Sequence, residues 1–410
     1  MNLPRLALAY LAARPFATLL HVTMLALGTA TLAFLLLFTH QAEERLAKDA
    51  KPVDLVVGAK GSPLQLILST VFHVDVPTGN IGLDEAEALV AHPMVAAATP
   101  VALGDSFRGH RIVGTDASFL GLYDAKLAAG RDFSADMEAV VGSEVARRHG
   151  LAPGAKITGA HGLAQSGPAH DEHPYEVVGV LAPTGTVVDR LVLVSVSSVW
   201  HVHEHHGGAA PSPALAAPGG AMRPPSQGGR LEITALLVKY ATPLAAAMLP
   251  RFVNATTAMQ AASPAYESAR LLDLVGVGVE TLRWFALVMM ASAVLSVLAA
   301  LTAALQSRRY DLALLRTLGA RPAALAGLVL AEGVTLLGAG VILGLALGHG
   351  AAHALGAWLA ASGSFALTGL AWAPGEAMLV GGVAAAGIAT CLVPAVQAYL
   401  SDPATLLAKR

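Results

Sequence analysis

The sequence predicts a membrane protein with four transmembrane α-helices, one followed by three, and a large mixed α/β extracytoplasmic domain between the first and the second. Three observations predict this. The 410 residues are 55% hydrophobic and only 13% charged, with a mean hydropathy of +0.59; soluble domains carry about 25% charged residues. Four apolar stretches are long enough to cross a bilayer, which takes about 20 residues. The lysines and arginines beside those stretches are unevenly placed, which sets a direction across the membrane.

The four stretches are Ala17–Phe38, Leu282–Leu305, about Ala323–Leu347 and about Ala377–Tyr399. The first exceeds the ~7–15 apolar residues of a signal peptide, and "FTHQAEERL" after it is a poor small-residue cleavage site, so it reads as a retained anchor. Arg5 and Arg14 precede the first stretch. Arg308, Arg309, Arg316 and Arg321 lie between the second and third, and Lys409 and Arg410 follow the fourth. The connection His349–Pro374 holds no Lys or Arg. Both termini and the arginine island are therefore expected in the cytoplasm. The resulting layout is an N-terminus and first helix over 1–38, an outer domain over 39–281, and a three-helix segment over 282–410.

The formal net charge is −2 and no basic patch with interleaved aromatics occurs, so nucleic acid is not an expected partner. Cys391 is the single cysteine, which excludes an intramolecular disulfide. No Gly-rich phosphate loop ending in Lys and Ser or Thr is present, and no lysine in the chain follows a glycine. Any ATP hydrolysis is expected from a separate polypeptide, with no catalytic site and no cofactor in this one.

The outer domain reads as mixed α/β. "LDEAEALVAHP" from Leu83 has helical spacing with acids in its first turn. "MEAVVGSEVARRHGLAPG" reads as a strand into a short helix ending at Gly150. "YEVVGVL" (Tyr175–Leu181), "RLVLVSV" (Arg190–Val196) and "LEITALLVKY" (Leu231–Tyr240) have strand character. "PLAAAMLPRFVN" begins a helix leading toward the second span. Between them, 201–229 is a His-rich then Gly/Pro/Ala-rich loop. "SPLQLILSTVF" reads as a short helix capped by Ser62 with Pro63 in its first turn. Its apolar face of Leu64, Ile67, Leu68 and Val71 is expected to pack on the domain core. His73 and Asp75, in "FHVDVP", are read as locally hydrogen-bonded.

The island "RRYDLALLRTLGARP", Arg308 to Pro322, has four arginines and one aspartate in a chain poor in charge. It reads as a short cytoplasmic helix stopped at Gly319, with Pro322 opening the next helix. Leu312, Leu315 and Leu318 recur at three-residue spacing beside Leu314, while Arg308, Asp311 and Arg316 are polar. An apolar strip on a charged helix held between two spans suits docking onto a soluble partner.

Here the sequence resembles the FtsX/MacB-type ABC transporter permeases. The matching positions are Arg308, Asp311, Ala313, Leu315, Arg316, Leu318, Gly319 and Ala320, then Glu332 and Gly333 in the next helix. The tail "PAVQAYLSDPATLLAKR" is similar to the family ending at Pro394, Ala395, Ala398, Asp402, Pro403 and Leu407. The runs "RIVGTDASF", "EAVVGSEVARRHGLAPGAKI" and "YEVVGVLAPTGTVVDRLVLVS" resemble its periplasmic domain. The resemblance implies an inner-membrane permease that couples ATP hydrolysis by a separate ATPase subunit to movement of a periplasmic domain. It implies a homodimer or a heterodimer with a second permease, bound to two ATPase subunits, with membrane lipid around it and a periplasmic partner on the outer side. By the same resemblance, Arg308, Asp311, Leu312, Leu315, Arg316, Leu318 and Gly319 are candidates for ATPase coupling. Members resembling MacB drive export, and those resembling LolC and LolE extract lipoproteins. FtsX controls cell-wall hydrolases without transport, which is the alternative reading.

The chain has 15 histidines. "HVHEHHGG" places His201, His203 and His205 at alternating positions, on one face of an extended segment, with His206 beside them. "HDEHP" adds His170 and His173. Imidazole and carboxylate suit Zn²⁺ or another divalent metal, and these residues form a candidate collector. The H-E-x-x-H pattern of metalloproteases is absent. Within the spans, Glu332 is a candidate functional residue, expected to pair with an arginine or polar group of a neighbouring helix. His21 is read as interfacial.

Overall fold

The structure is a computed structural model that describes residues 3–161, 174–204, 231–361 and 367–400. It has two compact units, residues 1–42 with 275–410, and residues 43–274. The chain begins with α1 (Leu3–Ala12) and α2 (Pro15–Ala50), whose far end leads into the second unit.

The second unit is the mixed α/β domain. Its elements run β1 (Leu55–Ala59), α3 (Pro63–Thr70), β2 (Ile81–Gly82), α4 (Leu83–Val90), β3 (Val95–Phe107), β4 (His110–Thr115) and α5 (Ser118–Leu122). Next come β5 (Leu127–Gly130), β6 (Glu138–Val141), α6 (Ser143–His149), β7 (Lys156–Ile157), β8 (Ala160–His161), β9 (Tyr175–Leu181) and β10 (Val192–Ser195). They close with α7 (Val196–Glu204), β11 (Glu232–Ile233), β12 (Ala235–Tyr240), α8 (Pro243–Thr256) and β13 (Met259–Ala262). The main sheet has the order β13-β1-β12-β3-β4-β10-β6-β9-β5.

β3 joins its two halves. Val95–Val101 pairs antiparallel with β12, and Ala102–Phe107 pairs antiparallel with β4. β10 lies parallel to β4, and β6 parallel to β9. The β-branched runs fill both faces of the sheet, because successive side chains in a strand point to opposite sides. Val113, Val140 and Leu193 enter one core, whereas Ile112, Ala139, Val141, Val192 and Val194 enter another. The helix from "SPLQLILSTVF" forms with its expected cap, Ser62 Oγ accepting from Gln65 N, and Ile67 and Val71 enter the first core with Leu68 against it, but Leu66 takes the core position expected of Leu64. The helix before Gly150 ends with that residue in the left-handed region at φ 63°. The strands β1, β3, β4, β5 and β13 were not among those expected. β13 separates α8 from the next long helix and pairs with β1 at the sheet edge.

The chain returns through α9 (Pro264–Ser307), α10 (Arg309–Thr317), α11 (Pro322–Ala361) and α12 (Pro374–Leu400). Among the described residues, α2, α9, α11 and α12 are long and apolar enough to cross a membrane. Glycines set how closely they pack. Gly340, Gly344 and Gly348, four residues apart, line one side of α11 against α2. A Cβ at Gly344 would lie 2.5 Å from Thr29 Cβ and 2.8 Å from the Ala26 carbonyl oxygen. Small residues at this spacing let helix backbones approach in lipid, where association depends on packing.

Candidate functional site

α10 is built by local rules. Asp311 lies in its first turn and Arg316 in its last, each suited to the helix dipole. Its end is a Schellman turn. Gly319 N donates to the Arg316 carbonyl at 3.0 Å, Ala320 N donates to the Leu315 carbonyl at 2.9 Å, and Gly319 takes φ 96°. Pro322 then opens α11.

The expected docking strip of Leu312, Leu315 and Leu318 is corrected by the structure. Leu312 is buried with Leu305, Leu325, Val329, Ala395 and Ala398, and Leu315 packs against the same cluster. Leu318, at the end of the helix, is 76% exposed. The reason is angular. Three-residue steps fall short of the 3.6-residue turn by about 60° each, so Leu312 and Leu318 point about 120° apart. Four-residue steps stay closer to one line, and Tyr310, Leu314 and Leu318 are 61%, 47% and 76% exposed. Arg309 and Asp311 flank them, also exposed.

Arg308 is turned inward. Its Nη1 donates to Glu332 Oε1 at 2.9 Å, and its guanidinium lies 3.8 Å from the centre of the Tyr10 ring. Glu332 is buried, so this is the arginine partner expected for it. Arg14 Nη2 donates to Ser307 Oγ at 2.7 Å. One arginine thus joins the start of α10 to α11 and α1. α1 and Tyr10 were not foreseen, because ten residues before an apolar run carry too short a pattern to read. His21 Nδ1 is bonded to the Ala17 carbonyl of its own helix.

The histidine candidates separate. His201 and His203 lie on α7, a helix where the sequence suggested an extended segment. His170, His173, His205 and His206 lie outside the described residues, as do Asp402, Pro403 and Leu407 of the tail. Among the described residues no three of His, Cys, Asp and Glu come together to hold a metal.

His73 is also not as expected. Both ring nitrogens are buried without a hydrogen-bond partner. Burial, reinforced by Arg111 and Arg190, lowers its pKa to about 3, so the ring is neutral. Asp75 supplies its backbone carbonyl to Arg111 Nη2.

Residues 18–247 match the family model of the MacB-like periplasmic core domain, and residues 283–400 match that of the FtsX-like permease C-terminal region. The chain belongs to the FtsX/MacB-type permease family. It is a multi-pass membrane subunit of the ABC transporter class. Its fold is similar to the periplasmic region of MacB from Actinobacillus actinomycetemcomitans, at 12% identity and TM-score 0.34, over 55% of this chain and 97% of that one. It is also similar to the extracellular domain of the noncanonic ABC-type transporter YknZ from Gram-positive bacteria, at 12% identity and TM-score 0.30, over 50% and 98%. No curated protein sequence matches the chain.

Proposed function

We propose that this permease passes the work of a separate ABC ATPase to its α/β domain, and that the ATPase docks on the Tyr310–Leu314–Leu318 face of α10. The observation that carries the reading is the division of α10 into two faces. Leu312 and Ala313 are buried inside the chain, while an aromatic and two leucines stand exposed at four-residue spacing. A short helix with one face fixed to the spans and the other apolar and open can transmit a push from a soluble partner. Arg308 does not meet the ATPase in this reading. It anchors α10 through Glu332 and Tyr10.

In the same reading α10 and both termini are cytoplasmic, following the arginines, and the α/β domain lies on the outer side of the inner membrane. Two permease chains and two ATPase chains make the working unit. The ATP site belongs to the partner, and this chain is non-catalytic. The work done is export or extraction of a substrate already outside the membrane.

The test is co-purification of the ATPase with variants of the full chain. Leu314→Asp and Leu318→Asp are expected to reduce recovery at least tenfold while membrane insertion persists. Recovery unchanged in both variants contradicts the reading.

A further inference from the structure

The opposite end of the membrane unit holds a second pair, a part-buried histidine on a buried carboxyl group, that ATPase docking does not use. Glu376, in the first turn of α12, is fully buried. Its Oε2 lies 2.9 Å from His349 Nε2 on α11, and its Oε1 accepts from Ala373 N at 3.0 Å. The other ring nitrogen, His349 Nδ1, lies 2.7 Å from the Gly369 carbonyl oxygen. That segment is seated tightly: a Cβ at Gly369 would fall 2.1 Å from the His349 carbonyl oxygen. It is also held from α2. Gln41 Nε2 donates to the Thr368 carbonyl, and Thr368 N donates to Gln41 Oε1, both at 2.9 Å. Leu37 of α2 packs with Ala352 and Ala373 beside it. The start of α12 and the C-terminal parts of α2 and α11 therefore meet on the segment 367–373.

The chemistry fixes the proton count. A backbone carbonyl only accepts, so Nδ1 must carry hydrogen. The Nε2–Oε2 contact then needs one more proton, held by the ring or by the carboxyl group. Without it, a ring lone pair would face a buried carboxylate, and the contact would repel. Glu376 is the charged group acting on the ring. His353 lies one turn along α11 and His40 precedes Gln41 on α2, the Trp372 ring centre is 5.9 Å from that of His349, and Leu37 and Gln41 do not titrate.

We infer that His349 and Glu376 form a proton-held latch, which joins α2, α11 and α12 around segment 367–373 while one proton is shared between them and releases that segment when the proton leaves. None of these contacts involves α10, so the inference stands apart from ATPase docking.

Hydrogen exchange of 367–376 tests it, in the full chain in lipid nanodiscs, with rates corrected for the intrinsic effect of pH. Raising the pH from about 6 to about 10 is expected to lower protection of this segment about tenfold, the cost of one charge-assisted bond. Glu376→Gln replaces the shared proton by an amide N–H that donates to the neutral ring at either pH, and is expected to abolish the pH step. Gln41→Ala removes a contact without touching the proton, so its protection falls but the pH step remains. Protection in the unsubstituted chain that does not change with pH overturns the inference, whether or not the variants fold. A pH step of the same size in Glu376→Gln also overturns it.

Discussion

At one end of the membrane unit Arg308 meets Glu332; at the other His349 meets Glu376. Both pairs put a carboxylate in a buried place and both tie neighbouring helices. They differ in the cation. A guanidinium is charged at any ordinary pH and, with its planar fork and stacking surface, can hold Glu332 and Tyr10 together. An imidazole carries its second proton only conditionally. The end that bears α10 is thus tied at any ordinary pH, whereas by our inference the end at His349 is tied only while a proton stays.

The comparison is broken most strongly by Arg308→Ala. It strands Glu332 as an uncompensated buried charge, which costs about 3–5 kcal/mol. Unfolding of the full chain in mixed detergent is expected to show that loss. The double change Arg308→Met with Glu332→Met removes both charges and is expected to recover most of it. If the single variant is as stable as the double, the pair is not the anchor described.

A second prediction sets His349, with two acceptors, against His73, which has none, and His110, which has only the Arg190 carbonyl at 3.1 Å. Burial lowers the pKa of His73 to about 3 and of His110 to about 4. Both rings are neutral in the folded domain and take up a proton more readily when it unfolds. Stability from these two groups is therefore full above pH ~6.5 and falls as the pH drops toward ~4, by roughly 2–3 kcal/mol per pH unit for both together. Hydrogen exchange across residues 43–274 is expected to accelerate over that window. A flat response between about pH 6.5 and about pH 4 contradicts neutral burial.

The helix contacts between the two ends give a smaller effect. Gly344→Ala drives a Cβ into Thr29 and the Ala26 carbonyl and is expected to cost about 2 kcal/mol. Gly338→Ala on the same helix meets nothing within 4 Å and is expected to be neutral or slightly stabilising, since alanine favours helix. Equal losses in the two, read by the same detergent unfolding, would show that the glycine row is not a contact surface. Smallest is Thr242→Ala, which removes the N-cap bond to Ala245 N on α8 and is expected to cost about 1 kcal/mol in the α/β domain.

Much of this architecture was readable from composition and spacing. Apolar length gave the spans, and β-branched runs such as Tyr175–Leu181 gave strands, because both depend on local chemistry. Glu332 stood out as a carboxylate inside an apolar run, and its partner was foreseen in kind. His349 and Glu376 escaped notice because they sit just beyond the apolar stretches that ended at Leu347 and began at Ala377. The helices run on to Ala361 and start at Pro374. Leu312, Leu315 and Leu318 do not form one exposed strip, because equal spacing in sequence was taken for one face. The tilt that buries Leu312 and exposes Leu318 depends on what α10 packs against. Strand order and the pairing of β13 with β1 join segments about 200 residues apart, and no local pattern encodes them.

The most direct test of the account is site-specific crosslinking between α10 and the ATPase. Cys391 is first changed to Ala, and single cysteines are placed at Leu314, Leu318 and Leu312 in otherwise cysteine-free chains. A short thiol-to-amine crosslinker is then applied to the assembled complex in membranes. The account predicts ATPase adducts from positions 314 and 318 and none from position 312, which faces the chain's own core. Adducts from position 312 with none from 314 or 318 would contradict it, because the partner would then meet the face that this structure buries.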